Sequence, residues 1–372
     1  MEEDFCDLTD TDQEKLRKVS RTPASALGTT RKELYDYEEG HIKAGAVDTV
    51  INVLKAHNMR YLFTIGGGDS AETAEIIRRG ADEYGYDLRV IHIPKTIDND
   101  LPEMDHCPGY GSAAKYNIES LIGTWFDARS AGNAVDLNVV MGRYAGWLAA
   151  AGAACRGFGY EPLIVTPENP MEIDEFAELV HARYKENGKL LQIVVSEGAK
   201  GRDGLWAETL RGDGGAHARA DDIGRLVLSS VQLEEMLRLI VQKVTDKAKI
   251  IPTRTGYPQR CHLGVWSEID YNEAYRAAQE AVGIALCGES GMVMSIQRAL
   301  EKTYSVGYIP IELRRIAEPG SKMTRSMPPE FFDDAGKPNE LFEEWLSPLL
   351  GEMPETAILD AHRVAKKYFA HH

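Results

Sequence analysis

The segment Pro94-Lys95-Thr96-Ile97-Asp98-Asn99-Asp100 sets a lysine and two carboxylates directly after an apolar run, Leu88 to Ile93. Phosphoryl transfer asks a protein for such parts: a base for a hydroxyl proton, cations for spreading negative charge, and a carboxylate for magnesium. Lys95, Asp98 and Asp100 offer one of each. A plain turn uses the same residue types, so the segment acquires meaning from what stands beside it.

Three further polar clusters each follow an apolar run: Gly66-Gly67-Gly68-Asp69-Ser70, Gly142-Arg143 and Ser196-Glu197-Gly198. A glycine loop opening a helix near Ser70 points bare backbone N–H groups at an anion, helped by the positive helix end. It also serves as a tight turn with Asp69 or Ser70 as helix cap. Arg143 suits a phosphate clamp or a solvated helix start. Glu197 suits sugar hydroxyls, and Gln259-Arg260, after Gly256-Tyr257-Pro258, adds a further cation. His106 beside Cys107, and His371 with His372, read as loop and terminal residues rather than metal ligands.

Short apolar runs alternating with helical periodicity predict a mostly parallel sheet built from strand–helix units. Strands are expected at Tyr61–Ile65, Leu88–Ile93, Leu137–Met141, Leu163–Thr166, Leu190–Val195 and Tyr308–Leu313. Val47, Val50, Ile51 and Leu54 share one helical face, as do Ile173, Phe176, Leu179 and Val180, with Gly188 as a stop. A polar helix is expected from Asp10 to Val19, and a long loop or lid from Gly198 to Asp222. Ligands of open parallel sheets bind beyond the carboxyl ends of the strands, so all four clusters should face one rim.

The 372 residues suffice for two domains, and 43% hydrophobic content supports real cores. A net charge of −16 opposes binding to nucleic acid or an anionic membrane. An anionic substrate therefore needs a locally basic pocket. Five scattered cysteines without a CxxC pair fit a reduced, cytosolic compartment. The acidic amino terminus lacks a signal-peptide pattern, and no run of about 18 apolar residues occurs.

Thr96-Ile97-Asp98-Asn99-Asp100, Met141-Gly142-Arg143, Ser196-Glu197-Gly198 and Gln259-Arg260, in this order, resemble the phosphofructokinase family from about Ser25 to Leu350. The resemblance implies two Rossmann-like three-layer α/β domains. Residues 1–109 with 259–309 would hold the phosphoryl donor, 110–258 with 310–350 the sugar phosphate, and 351–372 would form a helical tail. It further implies a magnesium-dependent transfer to the 1-hydroxyl of fructose 6-phosphate in a homodimer or homotetramer. By the same likeness Asp98 is the base, beside Thr96 and Ile97. Met141, Gly142, Arg143, Glu197, Tyr257 and Arg260 hold the sugar phosphate, and Arg31 contacts the moving phosphoryl group.

Members that use ATP carry small residues where this chain has Asp69 and Lys95, which leaves room for an α-phosphate. A carboxylate there repels that phosphate, while Lys95 suits a small polyanion, so the pair resembles the pyrophosphate-dependent branch. Three departures stand against this. Gly68 replaces a magnesium-binding Asp or Asn, leaving Asp69 or Asp100 for the metal. Ala134 and Ile251 replace arginines that cross a subunit interface, with Lys249 and Arg254 nearby. Nothing before Arg31 matches the family's first strand and glycine-rich loop, so an exposed sheet edge is expected. An ATP-dependent kinase and a truncated or non-catalytic sugar-phosphate-binding relative are the alternatives.

Overall fold

The computed structural model describes residues 5–30, 34–37, 39–209, 230–301, 303–321 and 323–359. Its longer strands are β1 (Tyr61–Gly66), β2 (Arg89–Pro94), β3 (Ala134–Val140), β4 (Leu163–Val165), β5 (Leu190–Ser196), β6 (Lys249–Arg254), β7 (Met292–Arg298) and β8 (Val306–Glu312). The longer helices are α1 (Gln13–Ser20), α2 (Ala46–Ala56), α3 (Gly68–Glu83), α4 (Tyr110–Ala131), α5 (Ile173–Glu186), α6 (Ser230–Val244), α7 (Glu268–Leu286) and α8 (Glu340–Leu350).

The strands form two four-stranded sheets, ordered β8-β7-β2-β1 and β6-β3-β5-β4. Every pairing in them is parallel except β7 with β8. This is the α/β, mostly parallel architecture expected from the alternating patterns. Parallel sheets are covered on both faces, which makes their central strands continuously apolar. β3 is buried along its whole length. On the first sheet, α2 and α3 pack one face through Ile51, Leu54, Ile76 and Ile77. On the other face, Ala277, Ala281 and Ala285 form a small-residue stripe that lets α7 approach Ile91, Ile93 and Met294 closely. The second sheet lies between α5 and α6 on one side and α4, α8 and the aromatic group of Trp147, Phe331 and Phe342 on the other.

β6 and β7 were not among the expected strands. β6 is an edge strand containing Pro252, and none of its residues is fully buried. β7 carries Ser295 and Gln297, whose side chains bond to the Glu103 carbonyl. The expected Asp10–Val19 helix is α1, capped by the Asp12 side chain and joined to the start of α7 through Arg21 and Glu268 at 2.9 Å. Between 198 and 209 the chain forms a small hairpin and one helical turn; the rest of the expected lid to Asp222 lies outside the described residues. β1 borders the first sheet, with Tyr61 48% and Ile65 63% exposed along that edge.

Candidate active site

The carboxyl ends of β1, β2, β3 and β5 open onto one cavity of about 640 Å³. From the loops of the first sheet, Gly67, Gly68, Asp69, Lys95, Thr96, Ile97, Asp98 and Asp100 line it. Met141, Glu197 and Arg260 line it from the other sheet's loops. Asp69 and Lys95 thus share one wall system with Asp98. Gly66, Gly142, Arg143 and Tyr257 stand outside the lining, and Arg31 lies outside the described residues.

The glycine loop works through close approach. A Cβ on Gly66 would stand 2.2 Å from the Ser70 Oγ, so any larger residue must displace the first turn of α3. α3 begins at Gly68 with Gly67 as N-cap and no capping side chain. Neither Asp69 nor Ser70 is the cap, which corrects one of the two readings of this turn. Asp69 instead lies in the first helical turn, where the unsatisfied amides and the helix dipole favour negative charge. A carboxylate built into that place competes with an incoming phosphate for the same field.

His92, hidden inside the apolar run, was not recognised as part of the site. It is fully buried, with Nε2 3.1 Å from the Gly66 carbonyl and Nδ1 2.8 Å from the Thr64 hydroxyl. Burial pushes its pKa down to about 4, so it is neutral at pH 7, with one ring nitrogen donating and the other accepting. The backbone N–H of Lys95 donates to the same Gly66 carbonyl at 2.8 Å. One carbonyl therefore ties the glycine loop to the lysine loop.

The titrating groups crowd one another. Burial raises the Asp98 carboxyl above the ordinary range, against the charges of Arg260 and Lys95 that pull it down. Burial and then the Asp98 charge push Asp100 up to about 6. The same two causes push Glu197 up to about 7. Lys95 is lowered by burial and by Arg260, with Asp98 opposing. These are mutually dependent carboxylates in a cavity that gains by binding cations, which is where functional acids and bases are found.

At the rim of the second sheet two loops pack back to back. Gly142 has φ 128°, and a Cβ there would stand 2.6 Å from the Ala145 carbonyl. A Cβ on Gly198 would stand 2.3 Å from the Arg143 carbonyl, so both glycines are required by contact. Ser196 Oγ donates to the Gly142 carbonyl at 2.6 Å, and the Glu197 N–H donates to the Val140 carbonyl at 2.9 Å. Arg143 sits 5.7 Å over the ring of Tyr144, which itself lines the cavity. Lys249 pairs with Ala134 at the start of its strand, roughly 20 Å from the rim at about 3.3 Å per residue. Arg254 is held by Glu234. Neither cation reaches this chain's own cavity.

His106 does lie in a loop, between β2 and α4, but it is buried there and ion-paired. Its ring nitrogens lie 2.8 Å from Asp105 and 2.6 Å from Glu273, and these partners raise its pKa although burial opposes them. His371 and His372 lie outside the described residues. All five cysteines are free. Among the described residues no helix is long and apolar enough to cross a membrane.

Among the described residues no three His, Cys, Asp or Glu side chains form a metal cage. Magnesium, however, is commonly held by one or two carboxylates together with substrate phosphates. Asp100, with the charges of Asp98 and Asp69 acting on it, fits that partial site. The same crowding makes a prediction for the substrate-free protein. The Asp100 pKa is raised from 3.8, so its contribution to stability is fully present below the unfolded value and lost as pH rises through about 6. Asp100→Asn is expected to raise Tm near pH 8 in magnesium-free, phosphate-free buffer, and the gain should shrink towards pH 5, as read by calorimetry. A lower Tm at pH 8 would contradict this electrostatic account.

Opposed strand-end loops, a glycine turn at a helix start and a cation beside paired carboxylates define an α/β protein of the phosphoryl-transfer class. Residues 1–285 match the family model described as Phosphofructokinase, and the chain belongs to that family. It is 36% identical over 371 residues to a pyrophosphate–fructose 6-phosphate 1-phosphotransferase of Rhodospirillum rubrum, covering 98% of this chain and 87% of that protein. To the enzyme of the same name from Halomonas elongata it is 34% identical over 383 residues, covering 98% and 86%. The crystal structure of a pyrophosphate-dependent phosphofructokinase from Nitrosospira multiformis superposes with a TM-score of 0.77 at 29% identity, over 96% of this chain and 82% of that one.

Proposed function

We propose that this chain transfers a phosphoryl group from pyrophosphate to the 1-hydroxyl of fructose 6-phosphate, giving fructose 1,6-bisphosphate in glycolysis. The observation that carries the reading is that Asp69 and Lys95 line the same cavity as Asp98. Asp98 removes the hydroxyl proton as the sugar oxygen attacks the terminal phosphorus. The bond from that phosphorus to the bridging oxygen breaks, and phosphate leaves. Lys95 lies close enough to Asp98 for their charges to interact, and it offsets the charge growing on the leaving phosphate. Arg260 and Glu197 orient the sugar phosphate, with Thr96, Ile97 and Met141 completing the walls. Asp100 would hold magnesium, which when bound neutralises the pyrophosphate oxygens.

Donor choice follows from electrostatics. Asp69 disfavours the extra phosphate of a nucleotide, whereas pyrophosphate ends before reaching it. Arg143, beside Glu197 and outside the lining, is read as a clamp at the cavity mouth. We further read the protein as a cytoplasmic homodimer or homotetramer. A second reading, a sugar-phosphate-binding relative without catalysis, draws on Gly68, which stands where the family resemblance implies a magnesium-binding Asp or Asn. Purified protein supplied with fructose 6-phosphate and magnesium is expected to form the bisphosphate from pyrophosphate and not from ATP. Product from ATP alone would reverse the donor assignment, and binding of the sugar phosphate without turnover from either donor would favour the second reading.

A further inference from the structure

Arg325 lies outside these motifs, and both terminal nitrogens of its guanidinium are bonded inside the protein, while the buried Nε has no hydrogen-bond partner. Nη1 donates to the carbonyls of Met104 and Asp105, the latter at 2.8 Å, and Nη2 donates to the Asn99 carbonyl at 2.9 Å. The Arg325 backbone N–H donates to the Asp100 carbonyl at 2.7 Å. Its Cζ stands 4.6 Å over the Trp147 ring. With Nη1 and Nη2 bonded to carbonyls and the side chain absent from the cavity lining, Arg325 does not serve as a phosphate ligand.

What it grips is the loop that carries Asp98 and Asp100. That loop turns twice through the left-handed region at non-glycine residues, Asn99 at φ 55° and Glu103 at φ 62°. Such conformations cost energy and persist only where surrounding bonds enforce them. The guanidinium binds the carbonyl of the first strained residue and the carbonyls of the two residues following the second. The Asn99 side chain closes the same loop by accepting the Cys107 N–H at 2.8 Å.

The segment bearing Arg325 also reaches the other half of the site. Met323 and Thr324 line the cavity, and the Met327 N–H donates to Glu168 at 3.1 Å. Glu168 in turn accepts the Gly146 N–H at 3.0 Å, in the loop that follows Met141 and Arg143. One strap therefore binds the base-bearing loop through Arg325 and the acceptor loop through Glu168.

We infer that Arg325 is a positioning residue for the reaction, holding the Asp98–Asp100 loop in its strained turn so that the base meets the sugar hydroxyl. The inference rests on the reading of Asp98 as base. A planar fork with several fixed donors matches carbonyls converging from three residues; a lysine ammonium has no such geometry. Small misplacement of a reacting group costs on the order of a hundredfold in rate.

The test uses Arg325→Ala and Arg325→Lys in the full chain, with Asp98→Ala measured in parallel. Arg325→Ala should lose on the order of a hundredfold in kcat while KM for fructose 6-phosphate stays within about threefold. Guanidinium chloride at low, non-denaturing concentration should restore part of that kcat, and sodium or methylammonium chloride should not. Arg325→Lys should show a comparable loss. Near-normal kcat in either variant overturns the inference, as does a loss that follows the folded fraction and ignores guanidinium. If Arg325→Ala does not fold, the kcat of folded Arg325→Lys decides alone. If Asp98→Ala keeps near-normal kcat, it is the base assignment that fails; if it is inactive while the Arg325 variants are normal, only the positioning role fails.

Discussion

Replacing Asp98 by alanine is expected to lower kcat by about 10² to 10⁴, the range over which a positioned general base contributes. KM for fructose 6-phosphate should change far less than kcat, because Arg260, Glu197 and Met141 still line the cavity when the Asp98 carboxylate is removed. Burial already holds the Asp98 pKa above the ordinary range, and Arg260 with Lys95 limits the rise. A base of raised pKa takes a hydroxyl proton more effectively than an ordinary aspartate, provided it stays ionised at the working pH. Initial rates at saturating pyrophosphate measure the effect. A variant turning over near the normal rate would remove Asp98 from the chemistry, and a large rise in KM with preserved kcat would recast it as a sugar ligand.

The paired change Asp69→Gly with Lys95→Gly is expected to admit ATP as donor and to weaken use of pyrophosphate. A carboxylate about 4 Å from a phosphate charge costs about 4 kcal/mol at an effective dielectric of about 20, or about three powers of ten in affinity. Removing Asp69 relieves that repulsion at the first turn of α3. Removing Lys95 takes away a cation that nucleotide contacts can replace and a bare diphosphate cannot. Measuring kcat/KM for both donors in the two single variants and the double variant separates repulsion from lost attraction. If the double variant keeps its preference for pyrophosphate unchanged, donor choice lies elsewhere in the cavity.

The motifs were legible because each depends on a few adjacent residues following an apolar run. Gly66-Gly67-Gly68, Lys95 to Asp100, Met141 to Arg143 and Ser196 to Gly198 could be placed at strand ends since the strands before them read as apolar β-branched segments. β6 and β7 escaped notice for the opposite reason. Pro252 interrupts the pattern of an edge strand, and Ser295 with Gln297 makes a paired strand look polar until their carbonyl partner is known. His92 was concealed by its apolar neighbours, although a histidine inside such a run is the kind of buried polar group that must find partners.

By itself the amino-acid order determined the α/β class, the chemical parts and the strand ends on which they sit, because strand–helix periodicity and turn chemistry are short-range. Only the tertiary structure decided that Asp69, Lys95 and Asp98 share a cavity with Glu197 and Arg260, and that Tyr257 does not line it. It alone joined Arg325 to the Asn99 carbonyl, 226 positions away. Sheet crossovers create such meetings between distant residues. A backbone carbonyl is the same at every position, so nothing in the letters could mark the three that Arg325 holds.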